Sequence, residues 1–99
     1  MSRISFEVEK DNATLEVTAG WDGPFAAYFL QMWENEENPI YTSDYDHPYK
    51  QAQNKDNTEA LQKKLAEMGI EPPEGFWELA SKRDRKLVAT YQTGTWVTA

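Results

Sequence analysis

The sequence predicts an α+β fold, an antiparallel sheet of four to five strands with two helices packed on one face, in the order β-β-β-β-α-α-β. Three observations carry this. Apolar and polar residues alternate through most of the first twenty positions, the period of a half-buried strand. From Leu61 to Met68 apolar residues recur instead at i, i+4 and i+7, the period of a helix face. Between these stretches lie glycine, proline and acidic clusters that punctuate both patterns. A chain of 99 residues suits one domain, 1–99, with a single core.

Taken in order, Ile4, Phe6 and Val8 alternate with Arg3, Ser5, Glu7 and Glu9. Lys10-Asp11-Asn12 has turn chemistry. Leu15, Val17 and Ala19 against Thr14, Glu16 and Thr18 then repeat the alternation, and so short a connection implies an antiparallel hairpin. Gly20-Trp21-Asp22-Gly23-Pro24 marks a tight bend. Residues 25–33 read as a strand, or as a helix capped by Asp22 with Pro24 in its first turn. Their aromatic content favours the strand. That strand places Phe25, Ala27, Phe29 and Trp33 on one face and Ala26, Tyr28, Leu30 and Met32 on the other, as in a central strand covered on both sides. Glu34 to Pro39 is an acidic turn, Ile40-Tyr41-Thr42 a short fourth strand, and residues 43–55 a long surface loop.

Asp56 and Glu59 have capping-box spacing ahead of the first helix. Gly69 is placed to end that helix in the left-handed conformation, with Ile70 folding back onto its last turn. Pro72-Pro73 forces an extended link. A second helix is expected from Pro73 to Asp84, with Glu74 and Glu78 toward its N-terminal end and Lys82, Arg83 and Arg85 toward its C-terminal end, the order the helix dipole favours. Leu87 to Thr98 is rich in β-formers and reads as the last strand, with Gly94 as its point of interruption.

Composition narrows the function. An apolar content of 39% with 13% aromatics is that of a folded chain. With no cysteine there is no disulfide and no thiolate metal site, which suits a reducing cytoplasm. No apolar run reaches bilayer-spanning length, and Met1 to Glu7 has no apolar signal-peptide core. The expected location is cytoplasmic. The net charge of −7 is uneven: residues 1–46 hold ten acids and two bases, a balance of −8, and residues 47–99 hold seven acids and eight bases, a balance of +1. An acidic surface repels phosphate, so neither nucleic acid nor anionic membrane is expected as a partner. Lys82-Arg83-Asp84-Arg85-Lys86, the one basic cluster, is accounted for by the helix dipole.

Catalytic chemistry has little to work with. The single histidine, His47, lies in Asp46-His47-Pro48 within the expected loop, and neighbouring Ser43 and Asp44 do not make a preorganised triad with an oxyanion hole. Asp44, Asp46 and His47 lack the glycine and terminal glutamate of a calcium loop and the helical His spacing of zinc enzymes. No phosphate-binding glycine loop is present. No enzyme activity, metal or cofactor is expected. Binding features are richer. Glu34, Glu36, Glu37, Tyr41, Asp44, Tyr45, Asp46, His47 and Tyr49 form an acidic, tyrosine-rich stretch suited to an arginine- or lysine-rich partner. Two plain alternatives stand beside this: acids that only keep the chain soluble, and tyrosines that lie over the sheet and cap the core. Trp21, Trp33, Trp77 and Trp96 are expected mainly as packing residues.

Gly20-Trp21-Asp22-Gly23-Pro24 followed by Phe25 to Leu30 resembles a Gly-Trp-Asp-x-Pro motif, with an aromatic-rich segment after it, in small uncharacterised bacterial proteins. The similarity extends to Gly69-Ile70-Glu71-Pro72-Pro73. The resemblance implies a bend joining two strands of an N-terminal antiparallel sheet, and no catalytic residue. The leading expectation is a non-enzymatic protein-interaction module, monomer or homodimer. By analogy of size and charge it is a small regulator or inhibitor of the kind phages and mobile elements encode. A small-ligand or metal-binding domain with loop 43–55 as lid, and an oligomerisation unit pairing through the edge of the last strand, are the alternatives.

Overall fold

The computed structural model describes residues 1–46 and 48–99; His47 lies outside the described residues, as do the side chains of Tyr45, Pro48 and Tyr49. β1 (Arg3–Lys10) and β2 (Ala13–Asp22) form the expected antiparallel hairpin. Asp11 and Asn12 turn it with φ of 53° and 65°, a region their short polar side chains tolerate. β3 (Ala27–Glu34) pairs antiparallel with β2, and β4 (Asn38–Thr42) with β3. The strand reading of the aromatic segment holds from Ala27 onward. The bend falls later than its glycines suggest, because Gly20, Trp21 and Asp22 extend β2 until Asp22 pairs with Ala27. Phe25 and Ala26 belong to the bend, Ala26 with φ of 50°.

The sheet differs from expectation in size and direction. It has six strands in the order β4-β3-β2-β1-β5-β6. β5 (Val88–Gln92) runs parallel to β1, and β6 (Thr95–Thr98) returns antiparallel to β5. The sheet is therefore mixed. Side-chain alternation has the same period in either pairing mode, so it carries no information on direction. The single last strand is instead a hairpin, turned by Thr93 (φ 52°) and Gly94 (φ 81°).

Among the described residues there are three short helices besides a 3-10 turn at Ser43–Tyr45. α1 (Pro48–Ala52) forms inside the segment expected to be loop. α2 (Glu59–Glu67) begins after Thr58. The capping box does not form; the Glu59 N–H instead donates to Asn57 Oδ1 at 3.0 Å. The other end follows the sequence reading: Gly69 has φ of 74° and the Ile70 N–H donates to Leu65 O at 3.3 Å. The Lys10 ammonium donates to the Met68 carbonyl and ties this end to β1. α3 (Phe76–Ala80) is much shorter than the expected 73–84. Gly75 precedes it at φ of 91°, outside helical space, and the Glu74 carbonyl is taken by Trp96 Nε1 at 2.9 Å.

α2 and α3 cover one face of the sheet. Ile4, Phe6, Leu15, Val17, Ala19, Leu30 and Met32 project there and meet Leu61, Leu65, Ile70, Phe76 and Ala80. Three tryptophans serve this core. Trp21 meets Tyr28 edge-on at 4.9 Å, and Trp77 meets Phe76 edge-on at 4.8 Å. Trp96 stacks on Phe76 at 6.1 Å. Such pairs add about 0.5–1.5 kcal/mol each beyond the area they bury. Among the described residues no helix is long and apolar enough to cross a membrane.

Candidate functional site

The opposite face of the sheet is where charge collects. Strand alternation that sends Phe6, Leu15 and Val17 into the core sends Glu7, Glu9, Glu16 and Trp33 the other way. Ser5 and Thr18, paired in register, share a hydrogen bond of 2.9 Å between their hydroxyls. One pair further on, Glu7 stands directly opposite Glu16, and Glu16 in turn faces Trp33. Glu36 reaches the same place from the β3–β4 turn, where Asn35 and Glu36 have φ of 51° and 67°. Carboxylate oxygens of Glu7, Glu16 and Glu36 lie within 4.8 Å of one another. Like charges this close repel by about 1 kcal/mol per pair, or less, in water-like surroundings. The half-buried Trp33 indole lies in register beside them.

The residues singled out from sequence do not form one surface. Glu34, Glu36 and Glu37 sit at one end of β4 and Tyr41, Asp44 and Asp46 at the other. A five-residue strand separates the two groups by roughly 13 Å. Glu34 lies in register with Leu15 on the helix-covered face, and only Glu36 joins the cluster on the open face. Tyr41 packs against the core and donates to Asp46 Oδ2 at 2.6 Å. Burial first, then the hydrogen bond to Asp46 and that residue's charge, raise the Tyr41 pKa well above its usual range. The Lys64 ammonium lies over the same ring at 4.9 Å. His47 and the side chains of Tyr45 and Tyr49 fall outside the described residues.

Glu7 and Glu16 do not belong to the acidic, tyrosine-rich stretch, yet the sequence carries a signal for them. A two-residue turn at Asp11-Asn12 fixes the hairpin register and puts position 7 opposite position 16. Counting back from the turn along both strands is enough to pair these two acids.

A second concavity, of about 250 Å³, runs along α2. Tyr41, Asp46, Lys50, Asn54, Lys63 and Lys64 are among its walls. Three lysines and two acids, Asp46 and Glu67, line it beside the half-buried Tyr41 phenol, with no side chain arranged as nucleophile and base together among the described residues.

No protein-family model, curated protein or solved structure matches this chain.

Proposed function

We propose that the chain is a non-enzymatic interaction module that binds a basic protein surface through the open face of its sheet. The observation that carries this reading is the Glu7, Glu16 and Glu36 carboxylate cluster, with its oxygens within 4.8 Å of one another and Trp33 in register beside Glu16. Three mutually repelling carboxylates are a standing cost to the free protein, and cationic side chains of a partner remove it. A half-buried indole next to carboxylates suits arginine, which pairs with the acids and stacks on an aromatic face. The unequal charge of the two halves, −8 and +1, adds long-range steering toward such a partner. A role as a small regulator or inhibitor that masks a basic site on its target follows from this mode of binding.

The test is affinity capture with the wild-type chain and a Glu7→Gln/Glu16→Gln/Glu36→Gln variant, followed by titration of the captured protein across a salt series. The expected result is a basic protein whose affinity falls with salt and drops about tenfold or more with the variant. Affinity indifferent to both overturns the reading. The small-ligand alternative keeps one specific observation in its favour: Ser43, Asp44, Asp46, Lys50 and Asn54 help wall two cavities, one of them the lysine-bearing groove along α2. A melting-temperature screen with small anions addresses it, and no shift across the set removes it.

A further inference from the structure

Beyond Thr42 the edge of β3 has no strand beside it among the described residues and is sealed by single groups. The Leu30 N–H donates to Ser43 Oγ at 3.0 Å, and the Tyr28 N–H donates to the Asn54 carbonyl at 2.8 Å. Between these seals and the Gly23–Ala26 bend lies a pocket of about 80 Å³, lined by Asp22, Phe25, Phe29, Ser43, Asp44 and Asn54 among others. A water needs roughly 10–15 Å³ measured this way, so the space admits a group several times larger.

The polar lining includes the Asp22 and Asp44 carboxylates and the Asn54 side-chain carbonyl, beside the Ser43 hydroxyl and the Gln51 and Asn54 amides, which can also donate. Asp22 is 6% exposed, and among the described residues its Oδ1 has a single, long contact, 3.5 Å, from the Phe25 N–H. Asn54 is 4% exposed, and its Oδ1 is a buried side-chain oxygen without a hydrogen-bond partner among the described residues. A carbonyl oxygen left so costs about 1–3 kcal/mol. The Asp44 carboxylate adds charge from an exposed position. Gln51 spends its amide donor on the Asp44 and Asp46 carbonyls, at 2.9 and 2.7 Å. The apolar walls include two phenyl rings, Phe29 buried and Phe25 74% exposed, with Ala27 and Tyr28 beside them.

Two carboxylates and an unpaired carbonyl in one pocket with aromatic walls match a planar cation with several N–H donors. We infer that this pocket receives the guanidinium of an arginine from a protein partner. Arginine suits it better than lysine, since guanidinium is weakly hydrated, stacks on rings and presents its donors as a fixed fork. Asn54 also borders the groove along α2, but an anion held there by Lys50, Lys63 and Lys64 would repel a carbonyl oxygen. Arg85 approaches the bend, its Nε 3.0 Å from where a side chain on Gly23 would begin, yet it does not line the pocket. The inference rests on the reading of the chain as a binder of a basic protein, and names the group that would anchor it.

The test needs no partner. Methylguanidinium is titrated into the labelled chain at constant ionic strength and followed by amide NMR, with methylurea as the neutral isostere and inorganic phosphate as the competing anion. The expected result is a saturable shift of the Asn54 side-chain amide and the Phe25 backbone amide, in the millimolar range. Binding of methylurea, and of methylguanidinium to an Asp44→Asn or Asn54→Leu variant, should be about tenfold weaker. Asp44 is exposed, so its variant keeps the fold if Asn54→Leu does not. A blocked Gly-Arg-Gly peptide should reproduce the shifts. No saturation, equal response to methylurea, a response of Asn54 to phosphate instead, or binding of free arginine without the blocked peptide each overturns the inference. Failure with methylguanidinium while a basic protein still binds through Glu7, Glu16 and Glu36 removes the pocket's role and leaves the interaction reading standing.

Discussion

Gly20 is a residue whose identity is set by a neighbour far away in sequence. A side chain there would begin 2.3 Å from the Ser2 carbonyl oxygen, on backbone that cannot move aside. Ser2 is fully buried, donates its N–H to Trp21 O at 3.0 Å, and accepts the Trp21 N–H through Oγ at 2.7 Å. Gly20→Ala should therefore destabilise by about 1–3 kcal/mol through overpacking. Ser2→Ala should cost a similar amount, ~1–3 kcal/mol, by leaving the buried Trp21 N–H without an acceptor. Urea midpoints read both, and a change of a few tenths in either would show that this corner relaxes freely. Tyr41 offers a pH-dependent counterpart. Its pKa is raised in the folded chain, so above the unfolded value of about 10 the unfolded state has released a proton that the native state keeps. Stability present below that pH is lost as pH rises toward the folded pKa. Above pH ~10 the wild-type urea midpoint should fall more steeply than that of Tyr41→Phe; parallel slopes would mean that the phenol is not held by burial and Asp46.

At the scale of elements, the β5–β6 hairpin closes the core and carries a visible flaw. Its turn places Thr93 at φ of 52°, a region where a β-branched side chain is strained, followed by Gly94 at 81°. Asparagine tolerates that conformation and Asn-Gly is the preferred pair for a two-residue hairpin. Thr93→Asn should stabilise by about 0.5–1 kcal/mol, a rise of roughly 2–8 °C in Tm for a domain of this size. Calorimetry checks it; an unchanged or lower Tm would place the strain elsewhere. α3 makes the complementary point. Its charges are ordered as the dipole prefers over residues 73–84, yet only Phe76–Ala80 is helical. A hydrogen bond from Trp96 and a left-handed Gly75 outweigh dipole terms worth a few tenths of a kcal/mol each. The Asp56–Glu59 capping box fails in the same way, since Asn57 reaches the Glu59 N–H first.

For the whole molecule, the proposed binding role would set binding against stability on the open face. Glu7→Gln with Glu16→Gln should raise the melting temperature at low salt and lose that gain as salt screens the repulsion. The same change should weaken capture of a basic partner. Stabilisation without loss of binding would separate the cluster from function. The candidate surface is only half legible in the sequence. Acidity and aromatic content stand in the composition, but the run from Glu34 to Tyr49 spans both ends of β4, and adjacency in sequence is a poor guide to adjacency in space. The acids that do gather come from three segments, at positions 7, 16 and 36. Asp22 and Asn54, which share a pocket, are 32 positions apart in the chain.

Local pattern was enough for the α+β class, the first hairpin, the strand at the aromatic segment and the glycine end of α2. Each of these rests on interactions within a few residues: alternation, turn chemistry and a left-handed cap. Long-range contacts set the rest: β5 runs parallel to β1, the last strand folds back on itself, and α3 begins at Phe76. Those outcomes depend on which sheet edge stays free and on contacts such as Trp96 with Glu74, whose partners local pattern cannot name. The same limit holds for the open face, where strand register gathers charges from distant positions, and for the pocket, whose polar groups come from β2, the 3-10 turn and the segment after α1.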